Sequence, residues 1–344
     1  MSKRISLADI AKSLGVSKTL VSLVLNGKGD KYGINQQTQK KVLAKAKELN
    51  YIPNVLAQGF RTGKTKTIGL IVSDITNQFY SRIARRIEDY AWAQGYSVII
   101  CSSDESIEKE INRIKLLQSR KVDGLIISSS QQNPDWFNQF RSANFPHVLI
   151  DRCFKDADSP CVTVDNVAGA QMGAKHFLEQ GIKDIALLSI TPEHISTISE
   201  RTSGFLSALA EAKINIPAEW RLKIAFSNIE SEVEQKLTEL YKSGSMPKAI
   251  FALNNNLTSH CLLALRKLNI SIPNDIALIG FDDMLYFGFT QPSISAVSQP
   301  VEEIGERAFD LILKQINGEV IPESERFVRL PVNLIIRESS TKPQ

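Results

Sequence analysis

The chain has 344 residues, of which 43% are hydrophobic and 23% are charged, which is ordinary globular usage and far from that of disordered chains. Its length favours two or three folded units over one. The longest apolar runs, at residues 68–72 and 98–101, are only a handful of residues long. A helix that crosses a bilayer needs about 20, so no membrane-spanning helix fits this sequence.

The formal net charge of +4 is divided unevenly along the chain. Residues 1–66 hold 13 Lys and Arg against 3 Asp and Glu, a net charge of +10 that leaves −6 for the rest. A basic head on an acidic body predicts that the N-terminal unit binds a polyanion while the larger unit has another role; a solvated lysine-rich face is the alternative. No apolar stretch follows the first residues, so we expect no secretory signal and a cytoplasmic location.

Capping signals and helical spacing predict three helices at the start of the chain. Ser6 and Asp9 are typical of a capping box that opens a first helix, and Gly15 is expected to end it. Ser17 is expected to cap a second helix with four apolar residues on one side and a mostly polar opposite side: Leu20, Val21, Val24 and Leu25 against Lys18, Thr19, Ser22 and Leu23. This arrangement predicts a helix-turn-helix whose second helix enters a major groove, with a generic helical hairpin as the alternative.

A third helix is expected to close the small core. It begins near Asn35 and is predicted to carry four apolar residues inward: Val42, Leu43, Ala46 and Leu49.

The four cysteines show no C-x-x-C spacing and the four histidines form no H-x-x-x-H pair, so we expect reduced thiols and no metal site: Cys101, Cys153, Cys161 and Cys261.

From Thr67 onward, short apolar strands alternate with amphipathic helices, which is typical of βαβ units in parallel sheets. One series of strands is predicted to begin at Ile68, Tyr96, Asp123 and Pro146, and a second series at Val162, Ile185, Lys248 and Ile276. Two series predict two α/β subdomains. A cleft between two such sheets is a natural site for a small molecule, because ligand groups gather at the carboxyl ends of the strands.

Several stretches of the chain resemble the LacI/GalR family, the lac repressor and purine repressor family of bacterial transcription regulators. They are ISLADIAKSLGVSKTLVSLVLNGK from Ile5, the sequence Tyr51-Ile52-Pro53-Asn54, and RTGKTKTIG at residues 61–69. The resemblance implies a helix-turn-helix domain at residues 1–53, a hinge and linker at 54–66, and an effector and dimerisation domain at 67–344. That last domain is expected to have the type I periplasmic-binding-protein fold, with an N-subdomain at about 67–163 and 294–327 and a C-subdomain at about 164–293 and 328–340.

In this family the Pro-Asn sequence opens a hinge helix that orders on the operator and inserts a leucine into the minor groove. The matching residue here is Phe60, an aromatic that is itself used to wedge base steps apart; a plain linker is the alternative. Asn54 and Ala57 are the other hinge residues expected at DNA. On the second helix we expect Lys18 and Thr19 to contact base edges. Phosphate contacts are expected from Ser17, Ser22 and Asn26.

The second helix also departs from the family pattern. Leu20 and Leu23 replace the usual threonine and arginine, so contacts made by that arginine do not carry over and the preferred site should differ.

The resemblance also assigns an effector site. Asp151, Arg201, Asn255 and Asp282 fall at strand ends or helix starts and match positions where relatives contact their effectors. Such groups suit a polyhydroxylated or heteroaromatic metabolite, and Phe79 and Tyr80 are expected to add an apolar wall. The structural alternatives are a turn at Asp282, an ion pair of Asp151 with Arg152, and a core position for Phe79.

The chain is therefore interpreted as a sequence-specific transcriptional regulator, a repressor. A homodimer is expected to bind a palindromic operator with an affinity under allosteric control by a sugar or sugar derivative. A purine-responsive regulator and an exported solute-binding protein are the alternatives. No G-x-G-x-x-G follows a strand and no G-x-S-x-G occurs, so we expect no enzyme activity, no catalytic residue and no cofactor.

Overall fold

The structure is a computed structural model that describes residues 5–51, 63–154 and 158–341. Two compact units are present, Met1–Thr65 and Lys66–Gln344. The small unit contains α1 (Leu7–Leu14), α2 (Lys18–Leu25) and α3 (Gln36–Glu48), with a 3-10 turn at Asp30–Tyr32.

The small unit has the local signals that the sequence predicts. Ser6 and Asp9 form the reciprocal capping box of α1, and Gly15 ends that helix with a left-handed φ of 63°. The three helices bury one small apolar core: Ile10, Ala11, Val21, Val24, Val42 and Ala46. The prediction that Leu43 faces inward is wrong, because its side chain is 51% exposed. Val42 and Ala46 lie one turn apart on the buried face, and each residue rotates the direction by about 100°, which carries Leu43 away from the core.

The large unit contains two six-stranded sheets, each flanked by helices, within the described residues. The first stretch of chain supplies β1 (Thr67–Val72), α4 (Gln78–Ala93), β2 (Ser97–Ser102), α5 (Ile107–Ser119), β3 (Gly124–Ile127), α6 (Asp135–Ser142), β4 (His147–Ile150) and β5 (Cys161–Val164). The next supplies α7 (Asn166–Glu179), β6 (Ile185–Thr191), α8 (Ser196–Glu211), β7 (Arg221–Ala225), α9 (Ile229–Lys242), β8 (Ala249–Ala252), α10 (Asn255–Lys267), β9 (Ala277–Phe281) and β10 (Ser295–Ser298). The last supplies α11 (Val301–Ile316), α12 (Glu323–Arg326), β11 (Phe327–Leu330) and β12 (Asn333–Ile335).

The two sheets share one strand order. Their strand orders are β11-β5-β4-β3-β1-β2 and β12-β10-β9-β8-β6-β7, so β4 and β9 occupy equivalent places. Every neighbouring pair is parallel except β10 and β12. The central strands are buried along their length, as expected of parallel sheets with helices on both faces. Helices α7 and α8 approach closely at Gly204, where an added Cβ would lie 2.4 Å from the carbonyl oxygen of Val167.

The strand ladders correct the predicted points where the chain crosses between sheets. The strand predicted at Val162 to open the second series instead pairs with β4 and β11 in the first sheet. Strand β10 pairs with β9, so the chain leaves the second sheet after Ser298 rather than at residue 294. Strand β11 lies in the first sheet, so residues 328–330 belong there too. Apolar runs predict strands, but only hydrogen-bond partners decide which sheet a strand joins.

The expectation of four reduced cysteines is wrong for two of them. Cys153 and Cys161 form a disulfide with their Cα atoms 6.0 Å apart, a separation typical of such bonds, whereas Cys101 and Cys261 are free. Cys153 follows β4 and Cys161 begins β5, and the pairing of these two strands places the cysteines close together.

Candidate DNA-binding and effector sites

The second helix of the small unit presents a short polar start. Its N-cap is Ser17, whose hydroxyl accepts a hydrogen bond from the Leu20 amide at 3.1 Å. Lys18 and Thr19, in the first turn, are exposed. The residues predicted to read base edges therefore lie at the solvent-facing start of α2, which is the part of a recognition helix that enters a groove.

The other predicted DNA contacts on α2 lie near its C-terminal end. Asn26 donates from Nδ2 to the carbonyl oxygen of Ser22 at 2.5 Å, and both residues are half-buried. Leu20 packs against the small core, which accounts for an apolar residue there. Asn54, Ala57 and Phe60, predicted in the hinge, lie outside the described residues.

A cleft in the large unit lies where strands of both sheets end. Its volume is about 590 Å³, including the open mouth. Five of the six predicted effector residues line it together: Phe79, Tyr80, Asp151, Arg201 and Asp282. Phe79 and Tyr80 lie in the first turn of α4, the two aspartates follow β4 and β9, and Arg201 lies on α8. The geometry is that expected of an open α/β sheet, in which ligands bind beyond the carboxyl ends of strands.

Both aspartates adopt the left-handed backbone region that favours glycine. Asp151 has a φ of 65° and Asp282 a φ of 71°. Each directly follows its strand, and these strands occupy equivalent places in the two sheets. A non-glycine residue pays a conformational cost for this backbone, and such costs cluster at ligand sites. The two sheets thus present matching carboxylates to one cavity.

Asp151 is buried with one oxygen satisfied. Oδ2 accepts a hydrogen bond from the Tyr80 hydroxyl at 2.8 Å, whereas Oδ1 is buried and has no hydrogen-bond partner. Burial raises the pKa of Asp151 above its ordinary value, and the attraction of Arg152 and Arg201 offsets this only in part. A buried acceptor without a donor is costly, so this oxygen favours a ligand that supplies one.

Arg201 is fixed on three sides. Its Nε donates to Oδ1 of Asn166 at 2.8 Å and its Nη1 to the carbonyl oxygen of Leu253 at 2.8 Å. The guanidinium lies 3.7 Å from the ring centroid of Phe281, and Nη1 lies 3.6 Å from Oδ1 of Asp282. The arginine is therefore preorganised to support the wall of the cleft.

Asn255, the sixth predicted residue, is buried beside the cleft and is not among its lining residues. Its Nδ2 donates to Oδ1 of Asn77 at 2.9 Å, and its Oδ1 has no partner. Asn254 and Asn256 do line the cavity, and Asn254 also caps α10.

The cleft also contains polar residues that the sequence did not identify: Ser73, Asn77, Glu105, Arg152, Thr191 and Thr197. Arg152 and Glu105 form a two-pronged ion pair in which both side chains are 9% exposed. Ser73 directly follows β1 and Thr191 ends β6, so position after a strand is the signal that could have found them. Glu105 lies three residues beyond β2, so a position directly after a strand does not identify it.

Within the part of the chain that the structure describes, three hydrogen bonds join the two sheet systems around the cleft. Besides the Asn255 to Asn77 bond, the Cys153 amide donates to Oγ of Ser196 at 3.1 Å. Nε2 of His194 lies 3.3 Å from the carbonyl oxygen of Ser130. These contacts hold the subdomains in one relative arrangement. A ligand that binds this arrangement more tightly than others shifts the population of the protein towards it.

Among residues 5–51, 63–154 and 158–341, no cluster of three or more His, Cys, Asp or Glu side chains is arranged to hold a metal ion. Within the same ranges, no helix has the length and apolar character needed to cross a membrane.

A capped helical unit joined in one chain to a two-sheet unit with a polar cleft at its strand ends is the arrangement expected of DNA-binding regulators with a sensory domain. Comparison with known families supports that class directly. Residues 6–54 match the family described as bacterial regulatory proteins, lacI family, and residues 174–340 match the periplasmic binding protein-like domain. The HTH-type transcriptional regulator RegA of Clostridium saccharobutylicum is 34% identical over 97% of this chain and 99% of its own length.

The chain belongs to the lacI family of bacterial regulatory proteins and is a transcriptional regulator rather than an enzyme. The DNA-binding match removes the solute-binding alternative.

Two solved structures illustrate the fold. The lac repressor dimer bound to operator and the anti-inducer ONPF has a TM-score of 0.86 at 24% identity, covering 99% of this chain and 100% of that one. A periplasmic binding protein/LacI transcriptional regulator from Alkaliphilus metalliredigens QYMF, complexed with D-xylulofuranose, has a TM-score of 0.69 at 28% identity. That comparison covers 80% of this chain and 100% of the other.

Proposed function

We propose that this protein is a cytoplasmic repressor that binds a palindromic operator as a homodimer, with an operator affinity set by a sugar or sugar derivative in the cleft. Residues 1–53 bind DNA, 54–66 form the hinge, and 67–344 sense the effector and form the dimer. The N-subdomain begins at about residue 67 and the C-subdomain at about residue 165. The chain passes between the two subdomains at the points given by the strand pairing of the two sheets.

The DNA contacts follow from the exposed surface of α2 and from the net charge of residues 1–66. Lys18 and Thr19 read base edges from the exposed first turn. Phosphates are held by Ser17, Ser22 and Asn26. Asn54, Ala57 and Phe60 act in the minor groove at the centre of the operator. Because the first 66 residues carry a net charge of +10, operator affinity falls steeply with salt, by about 0.9 in log-log slope per phosphate contact.

The observation that carries the effector assignment is the unpartnered Oδ1 of the buried Asp151. A sugar hydroxyl donates to such an oxygen and can accept from an arginine in the same cavity. Asp282 and Arg201 lie in that cavity, and Phe79 offers an apolar surface for a sugar ring. The relative complexed with D-xylulofuranose supports a carbohydrate ligand.

Effector binding controls DNA binding through the closed arrangement of the subdomains. The three hydrogen bonds across the cleft form only when the subdomains are close, so a ligand that fits the closed cleft shifts the population towards it. In a dimer that shift changes how the two hinges meet. A coupling of about 1 to 3 kcal/mol is usual for such systems.

The homodimer is supported by the edge strand β2. It ends the first sheet, and its residues Ile99 and Ile100 are 38% and 39% exposed. An apolar edge strand of this kind is normally covered, and a second copy of the chain covers it by two-fold symmetry.

The function is tested by selecting operator fragments from genomic DNA with the full-length protein and measuring their affinity by gel shift with and without sugars. We expect specific binding that at least one sugar changes by about 5- to 150-fold. Failure to prefer any fragment over scrambled DNA would contradict the regulatory role. A response to nucleobases without any response to sugars would replace the effector class by purines.

Arg201→Ala is expected to abolish the effector response and to retain operator binding without effector, because Arg201 contacts Asn166, Leu253 and Phe281 around the cleft of the large unit. Loss of a buried guanidinium also lowers stability, so thermal melting accompanies the gel shifts. The conservative Arg201→Lys keeps the charge but not the fork and should lose most of the response. An unchanged sugar titration would remove Arg201 from the site.

A further inference from the structure

The charged groups that line the cleft do not balance. Three carboxylates and two guanidinium groups belong to its described lining residues: Glu105, Asp151 and Asp282 against Arg152 and Arg201. All five side chains are at most 9% exposed. An anionic ligand would therefore enter a site that already has one more negative than positive charge, in surroundings where water screens poorly.

Glu105 already occupies the Nη1 and Nη2 edge of Arg152, which is one of the two edges by which arginine can bind an anion. On the other edge, Nε is buried without a hydrogen-bond partner, but it faces Oδ2 of Asp151 at 3.6 Å, so an anion there would meet a second carboxylate. Nη1 of Arg152 donates to Oε2 of Glu105 at 2.5 Å, and Nη2 donates to Oε1. Nη1 also lies 3.3 Å from the carbonyl oxygen of Ser129. This parallel fork is the geometry by which arginine binds a carboxylate or phosphate, so a ligand anion would have to displace Glu105.

The backbone holds Glu105 in place. Asp104 and Glu105 are consecutive residues in the left-handed region, with φ of 52° and 55°. Oε2 of Glu105 also accepts a hydrogen bond from Ser130 at 3.1 Å. Burial alone would raise the pKa of Glu105, but attraction and hydrogen bonds from Arg152 and Ser130 outweigh it, so the pKa lies below its ordinary value and the side chain is ionised.

The second arginine offers no alternative anchor of this kind. Nε and Nη1 of Arg201 are engaged by Asn166 and Leu253, and Asp282 lies 3.6 Å from Nη1. An anion near Arg201 would meet Asp282 as well. The unpartnered buried oxygen of Asp151 is an acceptor, which repels an anion and favours a hydroxyl.

We propose that Glu105 is a specificity-determining residue that, by occupying the fork of Arg152, reserves the cleft for uncharged sugars and excludes sugar phosphates and uronic acids. This inference rests on the proposed carbohydrate effector. It assigns to Glu105 a role through Arg152, distinct from direct contact with the ligand.

The experiment titrates the full-length protein with matched sets of sugars by calorimetry and thermal shift. The sets are D-glucose, glucose 6-phosphate and glucuronate; D-galactose and galacturonate; and D-ribose and ribose 5-phosphate. For the wild type, each neutral sugar that binds should do so at least about tenfold more tightly than its anionic counterparts. In Glu105→Gln this ratio should move by about tenfold or more towards the anion, because the isosteric amide leaves Nη2 of Arg152 without an anionic partner.

Two variants separate this role from general damage. Glu110→Gln removes a neighbouring buried carboxylate, which accepts from Ser129 and Ser130, and should leave the ratio unchanged. Glu105→Gln combined with Arg152→Gln should lose the gain in anion affinity. A gain specific to anions is not produced by loosened packing.

Several outcomes would overturn the inference. An anionic sugar that binds the wild type more tightly than its neutral partner contradicts it while leaving the carbohydrate-responsive regulator intact. An unchanged ratio in a folded Glu105→Gln protein does the same. If Glu105→Gln does not fold, the wild-type affinities for neutral sugars relative to their anionic counterparts decide whether the inference stands. Binding of no sugar at all contradicts the proposed effector class and this inference with it, whereas operator binding then still tests the regulatory role.

Discussion

At the scale of single residues, the cleft contains groups that lower the stability of the protein without ligand and favour ligand binding. Asp151 is buried, has a left-handed backbone and leaves Oδ1 without a donor. Each of these features costs free energy in the absence of a ligand. Its neighbours reduce the cost, since Tyr80 donates to Oδ2 and Arg152 Nε lies 3.6 Å away. Such a site is expected where function, and not folding, selects the residue.

Asp151→Asn should therefore stabilise the protein without effector by about 1 kcal/mol at pH 7 and abolish its thermal shift with sugar. Asparagine tolerates a positive φ, so the backbone is retained. The wild-type pKa is raised by burial, so the protonated form favours the folded state. Its stabilising contribution is present below the unfolded pKa and is lost as pH rises through the folded pKa. The advantage of the variant should accordingly shrink as pH falls towards 4. Melting curves across pH check this, and a destabilised variant at pH 7 would contradict it.

At the scale of elements, the start of α2 combines a structural and a DNA-binding role. Ser17 caps the helix through its hydroxyl, and its position also places it at the surface expected to face phosphate. A cap is worth about 1 kcal/mol, so replacing Ser17 by alanine would lower stability and affinity together. Substitutions that keep the cap are needed to separate the two roles.

Ser17→Asn and Ser17→Asp form such a pair, since both residues cap helices about as well as serine. Aspartate also favours the positive end of the helix dipole. Both variants should melt within about 0.5 kcal/mol of the wild type. Operator affinity, measured by gel shift, should fall strongly for aspartate alone, because its charge faces phosphate. Equal affinities of the two variants would show that Ser17 does not approach the DNA backbone.

The same elements show what the sequence could and could not predict. The caps at Ser6, Ser17 and Asn35 involve residues within three positions, so local sequence predicts them. The assignment of β5 and β10 to their sheets depends on their hydrogen-bonded pairing with β4 and β9. An apolar run does not predict this pairing, because a buried parallel strand has the same pattern in either sheet.

The features of the cleft can also be divided into those that the sequence predicts and those that it does not. Asp151 and Asp282 were predicted because each lies at a strand end and matches an effector position of the family that the chain resembles, and the shared strand order of the two sheets makes their positions equivalent. Glu105 reaches the cavity through a turn with two left-handed residues, which the side chains Asp104 and Glu105 do not signal. The disulfide of Cys153 and Cys161 was missed because their closeness depends on the pairing of β4 with β5, which the spacing of the cysteines does not indicate.

At the scale of the whole molecule, regulation requires both charge segregation and symmetry. A head with a net charge of +10 attracts any duplex, so nonspecific affinity needs no second copy. Specific affinity and effector control need two reading helices and two hinges on one palindrome. Linking two half-site contacts raises affinity by about 100- to 10,000-fold over one. Dimerisation should therefore be separable from effector binding.

Ile99→Lys combined with Ile100→Lys tests this by placing two charges on the exposed edge strand β2. Sedimentation should show a monomer, and operator affinity should fall by at least about 100-fold. Sugar binding should be unchanged, because no residue of β2 lines the cleft. Val320→Lys is the matched control, since Val320 is 86% exposed in a loop and its replacement adds a lysine without touching the edge. The control should stay dimeric, whereas a double variant that also remains dimeric would place the interface elsewhere. A monomer that retains full operator affinity would contradict the need for symmetry, because one basic head would then suffice for specific binding.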